Sequence, residues 1–211
     1  MDKNLQWLNE QKILRTIDSL KKNNMNGYLV KDKEELIAKI EELVEEGSVV
    51  ACGGSMTLQE IGVMEHLKSG RYEFLDRTGL SGDEVKKVYR ATFSADAFFS
   101  SSNAITENGE LYNVDGNGNR VSAMLFGPDK VIIVAGVNKI VKNVEEAVNR
   151  NRYIAAPTNS KRLNIDTPCS KLGYCVECNS PKRICKEYTL IKGQIDENRI
   201  HVIFLNEEIG Y

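Results

Sequence analysis

The run Lys130-Val131-Ile132-Ile133-Val134-Ala135 is apolar at every position after its first, and this limits the fold more than any other feature of the chain. Side chains of a strand alternate between two faces, so a strand apolar on both must be covered on both. That is the situation of a central strand in a parallel sheet with helices on each side, and the rest of the chain supplies the alternation it needs. Leu5, Leu8, Ile13, Leu14, Ile17 and Leu20 recur mostly three or four residues apart, and Leu36, Ile37, Ile40, Leu43 and Val44 do so again before Gly47. Both stretches are therefore predicted as amphipathic helices, the first ended by Asn23, Asn24, Asn26 and Gly27. Residues 48–52 read as a short buried strand that runs into a glycine turn and a helix, where Thr57 and Glu60 have capping-box spacing. Strands at 72–75, 97–101 and 200–205 and helices at 83–95 and 141–150 continue the pattern. Residues 103–122 break it: the stretch 105–114 and the turn Asp115-Gly116-Asn117-Gly118-Asn119 predict antiparallel pieces. The expected fold class is α/β, an open and mostly parallel sheet flanked by helices, which takes ligands at the carboxyl ends of its strands.

With 211 residues and 41% apolar content, the chain is long enough for one well-buried core, and no stretch has the apolar length needed to cross a bilayer. The formal net charge of -2 gives no sign of a polyanion-binding surface. Neither nucleic acid nor a membrane is expected as a partner, and a homo-oligomer stays open. No signal peptide is legible, so the expected location is cytoplasmic. The composition changes only around residues 154–166. This divides the chain into an α/β domain over 1–160 and a cysteine-containing segment over 161–211, whose final strand returns to the same domain.

Three places carry candidate chemistry. The turn Gly53-Gly54-Ser55-Met56-Thr57 offers two glycines for close backbone approach, hydroxyl donors and a helix start, which suits a phosphate or carboxylate and equally suits a tight strand-to-helix turn. In Ala104-Ile105-Thr106-Glu107-Asn108-Gly109 a carboxylate precedes an Asn-Gly turn, so Glu107 is a candidate base or nucleophile in what is also an ordinary hairpin signature. Four of the chain's five cysteines, Cys169, Cys175, Cys178 and Cys185, crowd one segment. The two-residue gap between Cys175 and Cys178 lets both sulfurs turn back on one centre, so zinc or an iron–sulfur cluster is the leading reading, beside reduced structural thiols and disulfides. Pro168, Gly173 and Pro181 are expected to keep this segment out of regular helix or strand, and Lys171, Lys182, Arg183 and Lys186 could offset thiolate charge.

Other features read as structural. Asp115, Asn117 and Asn119 imitate the start of a calcium loop, but Arg120 and Phe126 stand where that loop needs Gly and Glu. Cys52 reads as a small buried hydrophobe, and His66 and His201 as isolated structural residues.

Taken together, Gly53-Gly54-Ser55-Met56-Thr57, Ala104-Ile105-Thr106-Glu107-Asn108-Gly109, residues 113–121 and Phe126-Gly127-Pro128 resemble the lactate-utilisation (LUD) domain family. The segments from Thr167-Pro168-Cys169 to Arg183-Ile184-Cys185, and Arg199-Ile200-His201-Val202, look like its single-domain members with a cysteine tail. The resemblance implies a fold similar to the glucosamine-6-phosphate deaminase, ribose-5-phosphate isomerase and CoA-transferase superfamily. It also implies a small anionic metabolite as ligand, bound by Gly53, Gly54, Ser55, Thr57, Thr106, Asn108 and Gly109. A place in the oxidation of lactate or another organic acid, with a redox protein as partner, is implied by the same resemblance. Class I CoA-transferases carry Ser-Glu-Asn-Gly, whose glutamate attacks the acyl-CoA thioester, and Thr106-Glu107-Asn108-Gly109 differs only in its first residue. Acyl transfer or sugar-phosphate isomerisation through Glu107 is thus one alternative, and a non-catalytic regulatory or assembly module with a structural metal is another. The ligand and enzyme readings both expect Gly54 and Glu107 to converge on a shared pocket.

Overall fold

Val131, Ile132, Ile133 and Val134 are all fully buried, the first and third in one apolar cluster and the second and fourth in another. The strand is thus covered on both faces, as its composition demands, and each such side chain contributes about 1.5–3 kcal/mol. The structure, a computed structural model, describes residues 2–211. Its strands are β1 (Asn26–Val30), β2 (Val49–Cys52), β3 (Glu73–Phe74), β4 (Ala97–Ser100), β5 (Ala104–Thr106), β6 (Leu111–Asp115), β7 (Lys130–Gly136), β8 (Ile140–Val141), β9 (Glu187–Ile191) and β10 (Ile200–Leu205). Six of them form one sheet in the order β1-β10-β7-β4-β2-β3, with every pairing parallel. The other four form a small sheet, β8-β5-β6-β9, in which β6 runs antiparallel to both neighbours.

The helices are α1 (Lys3–Lys22), α2 (Lys33–Leu43), α3 (Met56–Glu60), α4 (Val63–Leu67), α5 (Gly82–Ala91), α6 (Asn119–Leu125), α7 (Val144–Arg150), α8 (Ala156–Arg162) and α9 (Pro168–Leu172). A π-helical turn, Asn151–Ala155, joins α7 to α8. Ile13 and Leu20 of α1 share a core with Ile105, Leu111 and Ile191 of the small sheet on one face of the large one. On the opposite face α2, α3 and α4 bury Leu36, Ile40, Leu58, Val63 and Leu67. The result is the α/β class expected, a parallel sheet flanked by helices.

Several elements depart from the sequence reading. Asn26 and Gly27 do not merely end α1 but open β1, an edge strand held by pairing with β10. β9 has a mostly exposed burial pattern and forms by pairing with β6. The helix expected after the glycine turn splits at Gly62, whose φ is 82°. Its cap is Ser55, whose Oγ accepts from the Leu58 N–H at 3.3 Å. The Thr57–Glu60 capping box is therefore corrected: Thr57 is buried inside the helix, and Glu60 accepts from the Gly210 N–H at 2.7 Å. The cysteine segment is not wholly irregular either. Pro168 sits at the start of α9, where its missing N–H costs nothing, and Gly173 ends that helix at φ 81°.

The β5–β6 hairpin packs its turn on α1, and this contact leaves no room for a side chain. Gly109 has φ 77°, and a Cβ there would lie 2.6 Å from the backbone of Ser19 and Leu20. Gly109→Ala is expected to lower stability by about 1–3 kcal/mol, read from the urea midpoint. An unchanged midpoint would contradict this packing.

Candidate functional site

The parallel strands β2, β4 and β7 end on the same side of the large sheet, and the segments that leave their ends border one cleft of about 640 Å³. Gly54 and Ser55 come after β2, Ser101 to Asn103 after β4, and Lys139 after β7. The facing wall comes from the turn after β6, from Asn159 and Arg162 of α8, and from Arg183 and Ile184. A cleft at the carboxyl ends of parallel strands is where open α/β sheets take ligands.

Arg120, near the start of α6, ties this region together. Its Nε donates to Asp115 Oδ1 at 2.9 Å and its Nη1 to the Ser101 carbonyl at 3.0 Å and Asn113 Oδ1 at 2.7 Å. Its Nη2 donates to Asn103 Oδ1 at 2.8 Å and the Val114 carbonyl at 3.3 Å. The five donors of the guanidinium are thereby engaged. The other Asp115 oxygen accepts the backbone N–H groups of Arg120 and Val121, each at 3.0 Å, and so caps α6, whose own cap residue is Gly118. The Arg120 side chain also crosses Gly53, where a Cβ would stand 3.1 Å from its Cδ. That close approach explains the first glycine of the turn.

The remaining cations of the cleft keep donors to spare. Arg77 gives one N–H to the Cys52 carbonyl at 3.1 Å and lies over the Tyr89 ring. Arg162 uses two on Asn159 Oδ1, and Arg183 gives one to the Cys178 carbonyl at 3.1 Å. Lys139 is 2% exposed and its Nζ donates to the Tyr211 carbonyl at 3.0 Å. Burial, then the nearby Arg150 and Arg120 charges, bring its pKa down to about 7. Ser101 Oγ is buried at this cleft without a hydrogen-bond partner. Among the described residues Asp115 is the only one bordering the cleft with a side-chain carboxylate.

The structure brings only part of the sequence-predicted site together. Gly54 and Ser55 border the cleft, and Gly53 lies beneath Arg120. Thr57 turns away from it, donating to the Ile209 carbonyl at 3.4 Å. Thr106, Glu107, Asn108 and Gly109 lie at the far end of the β5–β6 hairpin, because β5 carries the chain away from the cleft at Asn103 and β6 returns it only at Val114. Glu107 accepts from Arg15 of α1 at 3.1 Å, Thr106 Oγ1 donates to Glu110, and the Asn108 carbonyl accepts from Asn23 at 2.9 Å. This turn fastens α1, and the expected convergence of Gly54 and Glu107 does not occur. Asp115, read as part of a failed calcium loop, has its carboxylate engaged by Arg120.

Cys169, Cys175, Cys178 and Cys185 all border a separate hollow of about 270 Å³. All four are free thiols, and burial pushes the Cys185 thiol upward. Among the described residues no three Cys, His, Asp or Glu side chains stand close enough to hold a single metal ion. Cys52 lies elsewhere, with burial pushing its pKa up to about 11. His201 bonds Tyr28 and the Asn198 carbonyl, as a structural histidine does.

Sequence reasoning missed Lys139, Arg77, Arg120 and Arg162 and treated Arg183 only as a counter-charge. The usable signal was position: Lys139 comes three residues after β7, at the strand ends where open sheets bind.

A family model described as the LUD domain matches residues 13–205. The crystal structure of a DUF162 family protein from Deinococcus radiodurans resembles this chain with a TM-score of 0.56 at 16% identity, over 93% of this chain and 98% of that one. At that identity the likeness speaks for the fold alone. A structure of eIF2B beta from Chaetomium thermophilum gives a TM-score of 0.35 at 15% identity, over 53% of this chain and 43% of that one, and carries no argument. No curated protein matches the chain.

Because Asp115 and Arg120 are both nearly buried, removing one partner strands the other's charge. Arg120→Ala is expected to cost about 3–5 kcal/mol in chemical denaturation, and Arg120→Lys to recover little of it. A loss below about 1 kcal/mol would show that the network does not hold this region together.

Proposed function

The chain belongs to the LUD domain family, and from that premise we propose that it binds a small metabolite carrying more than one carboxylate or phosphate group in the cleft beneath Gly54 and Lys139. One observation carries this reading. Arg77, Lys139, Arg162 and Arg183 border a single cleft and retain free donors, while its one side-chain carboxylate among the described residues is already engaged by Arg120. Water alone would leave these charges close together with no counter-charge, and an anion relieves the repulsion and accepts the donors. Arginine suits the role, since its planar fork matches carboxylate and phosphate oxygens.

The size of the cleft refines the ligand. About 640 Å³ falls in the range of sites for whole metabolites. Four spare cations exceed what one carboxylate neutralises, so a single lactate ion does not account for the site. An organic acid bearing a second anionic group, as a further carboxylate or a phosphate ester, matches both size and charge. Such a ligand is compatible with the organic-acid metabolism that the family name evokes. Glu107, paired with Arg15 away from the cleft, has no part in this reading.

Calorimetric titration with pyrophosphate and citrate tests the reading. Saturable binding is expected, and Arg77→Gln or Arg162→Gln should each weaken it about tenfold, the loss of roughly one charge-assisted hydrogen bond. Absence of saturable binding by either probe, or full affinity in both variants, would overturn it.

Lys139 adds a pH signature. An anion binds its protonated form better and raises its pKa, so affinity is full below about pH 6, where free and bound protein are both protonated. It falls as pH rises through the free-state value of about 7. With tartrate, a dicarboxylate fully ionised above about pH 6, as the probe, Lys139→Met should flatten this profile and abolish proton uptake on binding near pH 8, an outcome read by titration in buffers of different ionisation enthalpy. A wild-type affinity constant from about pH 6 to about pH 9 would remove Lys139 from the site.

A further inference from the structure

We infer that the hollow bordered by Cys169, Cys175, Cys178 and Cys185 is the seat of a [4Fe–4S] cluster, held as four thiolate ligands around a polynuclear centre. The inference is independent of the anion-binding reading and rests on how the four sulfurs are arranged.

Four cysteines from α9, from the loop after it and from the approach to β9 face one cavity of about 270 Å³. A lone zinc ion, with sulfurs about 2.3 Å from the metal, would draw its ligands into mutual contact and leave no such space. No three metal-binding side chains stand in that arrangement among the described residues. Sulfurs spread around a cavity suit a larger inorganic core, in which each cysteine binds a different iron.

The surroundings agree. Val148, Val176, Ile184 and Tyr188 line the hollow, Val176 and Tyr188 on its solvent-exposed side. Assembly from two ferrous ions, two ferric ions and four sulfides replaces four S–H bonds with four Fe–S bonds and releases four protons, and the cubane then bears two net negative charges with its thiolates. Arg152 and Arg183 border the same cavity; Arg152 is paired with Glu177 of the same lining, which leaves Arg183 as the cation that offsets them. The Glu177 N–H points at Cys175 Sγ at 3.3 Å, a backbone donation of the kind that stabilises a thiolate sulfur and tunes cluster potential. Glu177 reaches that position at φ 51°, a left-handed conformation uncommon for a residue with a side chain, and this curls the loop between Cys175 and Cys178.

The hollow also adjoins the anion cleft. Arg183 and Ile184 border both cavities, so a cluster here stands a single side chain away from the cleft ligand.

The test is anaerobic reconstitution of the full chain with equal amounts of ferrous and ferric iron and with sulfide, then iron, sulfide and zinc analysis. The expected product is brown, carries about four irons and four labile sulfides per chain, and is partly bleached in the visible when dithionite adds one electron to the cluster. Cys178→Ser should abolish iron retention, whereas Cys52→Ala, which alters a cysteine outside the hollow, should retain it in full. Cys185 packs against a small apolar cluster, so Cys178→Ser on the exposed loop is the more direct variant, with circular dichroism checking its fold. One zinc per chain and no iron, disulfide pairing of these cysteines in the anaerobic protein, a colourless metal-free product, or unchanged iron content in folded Cys178→Ser would each overturn the assignment.

Discussion

A single guanidinium settles the shape and charge of the cleft. Arg120 reaches the end of β4 through the Ser101 carbonyl, the bend before β5 through Asn103, and β6 through Asn113, Val114 and Asp115. It therefore fixes where the small sheet stands relative to the large one. Because its donors are all engaged in the protein, it also removes Asp115 from the charge balance that a ligand meets. The charge left over is positive.

Such a surplus of like charge is costly in an empty site, and the structure softens it through Lys139. With a pKa near 7, this lysine is partly neutral around physiological pH, which lowers repulsion against Arg150 and Arg120 until a counter-anion arrives. The arginines cannot adjust in this way, so the one adaptable charge sits at the most enclosed position.

Much of the large sheet was legible in the sequence, while the site was legible only in part. Strands β2, β4, β7 and β10 announced themselves because burial on both faces demands continuous apolar residues, a pattern that local reading detects. β1 and β9 did not, because Asn26-Gly27 mimics a turn and Glu187 to Leu190 are largely exposed; partners distant in the chain make both into strands. α6 was hidden for a related reason, since its N-terminal N–H groups are satisfied by Asp115, several residues upstream. At the cleft, Gly53-Gly54-Ser55 could be recognised as a strand-to-helix turn. The motif 106–109 looked equally suited to chemistry, yet the direction of β5 carries Glu107 off to meet Arg15. Local motifs record what a residue can do and leave its destination to topology. The cysteines illustrate the reverse case: proximity in the chain became proximity in space, although Pro168 and Gly173 bound a helix where an irregular loop was expected.

The strand order has a consequence for how the molecule comes into being. In the large sheet β1 has a single neighbour, β10, whose residues lie more than 150 positions further along. During synthesis β1 has no strand to pair with until residues 200–205 have left the ribosome, whereas α1 can dock earlier on the β5–β6 hairpin. The nascent chain must therefore carry β1 unpaired while the residues between it and β10 are made, leaving its edge open to chaperones and proteases for that interval.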